Sequence, residues 1–143
     1  MAHWTVKPLA LAAFALLALF GPAMAQEAAP AVSLELSKAE PAGNACTLSF
    51  VAQNAHAADI SSAVYETVLF DGQGRVAKLT LLDFQDLPAG RMRVRQFHFA
   101  DMPCEDISRI LINGAATCEG EGLPSGACGA PSLVSREKME ILG

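Results

Sequence analysis

The chain has 143 residues, which sets an expectation of one domain, and 52% of them are apolar. Nineteen of the first 25 are apolar, while the other 118 are roughly 47% apolar, an ordinary globular share that excludes intrinsic disorder. Those 118 residues carry 9 basic and 15 acidic side chains, a net of −6, which excludes a nucleic-acid binder built on clustered positive charge.

Residues 1–25 read as a cleaved secretory signal peptide. Lys7 closes a weakly positive start, and residues 9–20 are twelve apolar residues. Gly21-Pro22 breaks the helix, and Ala23-Met24-Ala25 supplies a small-x-small cleavage pattern. The expected cut follows Ala25. A retained membrane anchor is the competing reading, because residues 8–25 approach the lower spanning limit of about 17 residues. The Gly-Pro break and the cleavage pattern favour removal, which leaves no membrane anchor. No arginine pair precedes the apolar run, so the general secretory route is expected, and no cysteine stands at the cut to carry a lipid. Residues 26–31 (QEAAPA) form a polar tail expected to be disordered up to Val32, and residues 32–143 form the domain.

The body reads as strands of period 2. Residues 32–36 place Val32, Leu34 and Leu36 on one face. Residues 46–54 place Cys46, Leu48, Phe50 and Ala52 inward, against Thr47, Ser49 and Gln53. In residues 63–71, Val64, Val68 and Phe70 alternate with Tyr65, Thr67 and Leu69, so both faces are partly covered; we take Val68 and Phe70 as core. Asp71-Gly72-Gln73-Gly74 is a tight turn, residues 75–83 are the returning strand, and Leu87-Pro88-Ala89-Gly90 is the next turn. Residues 91–99 and 107–112 complete six strands, spaced as in a small antiparallel Ig-like β-sandwich of six to seven strands. Residues 132–138 read as one helical turn and 138–142 as a last short strand.

On residues 91–99, strict alternation puts Phe97 and Phe99 on the same face as Arg91, Arg93 and Arg95. Two exposed phenylalanines would forfeit roughly 1.5–3 kcal/mol each. A β-bulge near Arg95-Gln96 is therefore expected, freeing the arginines to form a positive stripe on a solvated face. That stripe is either an interaction face for an acidic partner or a row paired with Asp83 or Glu66 across the sheet.

Asn54 at a strand end, VLFDGQGRV (68–76), and LPAG (87–90) leading a strand that ends in an aromatic together resemble the FxLYD-type group of bacterial Ig-like β-sandwiches. The chain is also similar to small secreted alphaproteobacterial proteins of unknown function with four cysteines. Some of those carry Tat-type signals, from which this sequence departs. The resemblance covers about 50 residues of turn and core. It implies an extracytoplasmic sandwich without enzymatic activity.

Cys46, Cys104, Cys118 and Cys128 allow three pairings. Cys118 and Cys128 flank nine residues too polar to hold themselves by burial, so a local bridge is expected, with Cys46–Cys104 closing the longer loop. A zinc site or a redox pair lacks its usual C-x-x-C spacing.

Few residues suggest chemistry. His56, near Asp59 in a polar loop, could bind a metal or move a proton, and His98 reads as a surface strand residue. Ser125 and Ser132 lie in loose Gly/Pro sequence without a nucleophile elbow. Asp71 lacks the alternating oxygen ligands of a calcium loop. The resulting expectation is a periplasmic or secreted non-enzymatic module without cofactor or metal, which binds another envelope protein through a sheet face or edge. The alternative is a small-ligand or metal carrier using a cleft near His56.

Overall fold

The computed structural model describes residues 1–4 and 28–143. The apolar run and cleavage site of the expected leader lie outside those residues. Eight strands follow one another: β1 (Val32–Ala42), β2 (Ala45–Asn54), β3 (Ile60–Phe70), β4 (Val76–Leu87), β5 (Met92–Phe99), β6 (Arg109–Glu119), β7 (Ser132–Ser135) and β8 (Glu140–Leu142), with a 3-10 turn at Cys104–Asp106 before β6. They form two four-stranded sheets, ordered β5-β2-β1-β7 (sheet 1) and β4-β3-β6-β8 (sheet 2).

The sandwich stands, with one more strand than the six to seven expected, and it is mixed. β7 lies parallel to β1, and β8 lies parallel to β6. Residues 132–138 are not a helical turn: Ser132–Ser135 pairs with Ser33–Leu36. Leu133 is partly buried and packs on the core, so its apolar side chain and the open flank of β1 decide for a strand.

Alternation builds the core between the sheets. Sheet 1 contributes Leu34, Leu36, Cys46, Leu48 and Phe50, and sheet 2 contributes Tyr65, Leu69, Leu82, Phe84 and Ile110, each at most 2% exposed. Phe50, Phe84, Phe97 and Tyr65 meet edge-to-face, with centroids 5.1–5.8 Å apart.

Two register expectations are overturned. On β3 the inward set is Ala63, Tyr65, Thr67 and Leu69, so Val64, Val68 and Phe70 face outward. Phe70 is half-buried beneath the Arg109 guanidinium, 4.9 Å from its ring centroid. On β5 there is no bulge near Arg95-Gln96: its ladder with β2 runs unbroken from Cys46↔Phe99 to Gln53↔Met92. Alternation therefore holds, and Arg93 and Arg95 share the inner side with Phe97 and Phe99. The side chains of Arg93 and Arg95 are 29% and 16% exposed.

Both predicted disulfides are present, Cys46–Cys104 and Cys118–Cys128, and no cysteine is free among the described residues. The first ties the 3-10 turn to the start of β2, and the second ties the end of β6 to the loop before β7. Two such bridges fit an oxidising, exported environment.

Candidate functional site

The arginine row is not a free positive stripe. Arg95 reaches across the flank of the sandwich to the edge of β4, where its Nε donates to the Phe84 carbonyl (2.7 Å) and its Nη2 to the Asp86 carbonyl and carboxylate (3.1 Å each). Arg93 Nη2 meets the other Asp86 oxygen at 3.5 Å. Neither Asp83 nor Glu66 is their partner. These contacts explain why β5 needs no bulge: a guanidinium on the inner side is tolerated where three acceptors await it. Arg91 is exposed just before β5.

His56 and Asp59 do not form a pair. The His56 ring donates from Nε2 to the Ala127 carbonyl (2.8 Å), which fixes the proton there, while Asp59 Oδ1 accepts the Ala89 N–H (2.7 Å). Between them, fully buried Asn54 donates to the carbonyls of Ala58 and Leu87 and accepts from the His56 N–H. This end of the sandwich is a set of loop ties. A depression of about 590 Å³ opens nearby, lined by Ala115, Leu123 and the Cys118–Cys128 loop, and it holds no histidine or aspartate; a smaller one of about 320 Å³ is lined by His56 with Ala31, Pro124 and Ala127, and His56 is its one titratable side chain. Among the described residues no group of three His, Cys, Asp or Glu side chains could hold a metal. His98 is exposed, its Nδ1 3.1 Å from Thr47 Oγ1. Ser125 and Ser132 are exposed and do not adjoin a histidine by hydrogen bond. Asp71 serves its turn: Oδ1 accepts from the N–H groups of Gln73 and Arg75, and Oδ2 pairs with Arg75 Nε. Those bonds, the Arg75 N–H first, hold its carboxyl below the usual range.

The surface that stands out is the outer face of sheet 2. Register places Leu79 beside Val68, Val68 beside Leu111, and Leu111 beside Leu142, an apolar row that crosses all four strands. Its neighbours along the strands are Val76 and Phe70 at one end and Leu81 at the other. Leu79 is 60% exposed and Leu81 58%, whereas Val68, flanked on both sides within the row, is 6% exposed. Charged groups border the row. Arg109 stacks over Phe70 at one end, and Glu66, bonded to the Asn113 amide, stands at the other.

The outer face of sheet 1 differs. It presents Ser33, Glu35, Thr47, Ser49, Gln53, Gln96 and His98 by alternation; its apolar residues are a smaller group at the β5 edge, where Val94 lies beside Val51 and next to Met92, and Val134, set apart from them by Glu35. An apolar row that crosses all four strands of one face is the pattern of a protein-contact surface. The sequence carried a sign of it. Val64, Val68 and Phe70, followed after the turn by Leu79 and Leu81, form a second apolar stripe in phase with neither Tyr65 nor Leu82.

No protein-family model matches the chain, and no curated protein matches it in sequence. In structure it is similar to IrmA of Escherichia coli, with a TM-score of 0.56 and 15% identity, over 76% of this chain and 93% of that one. At that identity the likeness shows the fold alone.

Proposed function

We propose that this protein is a periplasmic, non-enzymatic interaction module that recognises a protein partner through the outer face of sheet 2. The apolar row Leu79–Val68–Leu111–Leu142 carries this reading, because it leaves large aliphatic side chains in water on a face that the fold itself does not cover. The two disulfides and the secretory pattern of residues 1–25 support export. The likeness to FxLYD-type sandwiches supports a binding rather than a catalytic role. The test is photo-crosslinking in living cells from a reactive residue placed at Leu79 or, on the other face, at Thr47. Adducts from Leu79 and not from Thr47 are expected. Adducts from Thr47 alone, or from neither position, would reject the sheet 2 surface.

A further inference from the structure

Resting on the reading of the sheet 2 outer face as an interface, we propose that its occupant is a second copy of this chain, seated face to face about a two-fold axis. The argument is charge complementarity across the apolar row. Along β3 the face runs from Phe70 through Val68 to Glu66, in steps of about 6.7 Å per two residues. Arg109 lies beside Phe70 in register at one end, with Glu140 next to it on β8, and Glu66 marks the other end. Among the described residues neither Glu66 nor Arg109 forms an ion pair within the chain. A two-fold axis that runs across the strands above the Val68 row reverses the strand direction. It lays the Phe70–Arg109 end of one copy over the Glu66 end of the other. Glu66 of the second copy then stands across the interface from Phe70, offset sideways by one strand spacing, about 4.8 Å, from Arg109 and by two from Glu140, and the roughly 10 Å between packed sheets is spanned by the glutamate and arginine side chains. The same contact occurs twice, as an isologous interface requires. A two-fold axis along the strands would instead set arginine against arginine.

The size of the patch sets the strength. Its apolar centre is one row four strands wide, extended along the strands by Val76, Phe70 and Leu81, on the order of 200 Å² from strand and residue spacings. That is well below the roughly 800 Å² per partner of a standard interface. Even with a polar rim, association should be micromolar, with the rim charges selecting the register.

Sedimentation equilibrium of the purified, disulfide-bonded protein from about 1 to 100 μM tests this directly. A monomer–dimer equilibrium is expected, which Leu79→Lys abolishes. Glu66→Arg and Arg109→Glu should each weaken it about tenfold, while an equimolar mixture of the two variants forms a heterodimer near wild-type strength, because both crossed contacts then join opposite charges. Thermal unfolding of each variant establishes that it is folded. A wild-type protein that stays monomeric overturns the proposal, as does a dimer indifferent to Leu79→Lys or a mixture no stronger than its components. If the protein is monomeric but Leu79 still forms adducts in cells, the sheet 2 surface stands with a different partner; if both fail, both readings fall.

Discussion

Tyr65 is the residue at which the core is least satisfied. It is fully buried, and its hydroxyl is the one buried side-chain polar atom without a hydrogen-bond partner among the described residues. Burial also raises its pKa. A buried unpaired hydroxyl costs about 1–3 kcal/mol, so Tyr65→Phe, which keeps the ring against Phe84, should leave stability unchanged or raise it by about 1 kcal/mol. Loss of more than about 1 kcal/mol in denaturant unfolding would contradict this. The phenylalanines divide by face. Phe84→Ala should cost about 3–5 kcal/mol, as for any emptied aromatic core site. Phe70→Ala, on the outer face, should cost about 1–2 kcal/mol from lost partial burial and the Arg109 stack; equal costs would refute the register. Asp71 predicts a pH effect of definite sign. Its folded pKa lies below its unfolded value, so its stabilisation is complete at neutral pH and is lost as pH falls through the depressed value. The amide shifts of Gln73 and Arg75 should titrate below the usual carboxylate range of about 4, and Asp71→Asn should remove that titration. An inflection at or above 4 would contradict the turn geometry.

Element by element, the strands of the body and both disulfides were legible in the sequence. Period-2 patterns at 32–36 and 46–54 have a single reading, and the Asp71 turn names itself by its glycines. Register was legible only where one face is polar. On β3 both faces are apolar, so nothing local decides between Phe70 and Leu69. On β5 the arginines looked unfit for an inner face, because their acceptors, the Phe84 and Asp86 carbonyls and the Asp86 carboxylate, belong to another strand. β7 is four residues long, too short for a period to show, and its parallel pairing with β1 comes from across the chain. Arg95 also occupies the C-terminal part of the β4 edge, covering carbonyls that would otherwise invite another strand. The bridges should differ in weight, with sequence separations of 58 and 10 residues. The loop-entropy model makes the loss of Cys46–Cys104 costlier by about 1.6 kcal/mol. The double serine variant of that pair should therefore unfold at lower temperature than that of Cys118–Cys128, and the reverse order would contradict the model.

At the scale of the whole molecule, the two outer faces are unlike. Sheet 1 turns mainly serine, threonine, glutamine and charged residues to water, with a smaller apolar group, Met92, Val94 and Val51, at its β5 edge. Sheet 2 turns leucine and valine outward. Alternation alone does not reveal this difference, because Val68 and Phe70 suit a core and the arginines a surface. Both readings hide an apolar face behind a charged one. The central claim is that the sheet 2 face is covered when the protein works. Carbene footprinting in intact cells, compared with dilute purified protein, tests it most directly. Labelling at Val76, Leu79 and Leu81 should fall several-fold in cells, while Met92 and Val94, equally exposed on sheet 1, stay unchanged. Equal labelling of Leu79 and Leu81 in both settings, or protection confined to Met92 and Val94, would contradict the account.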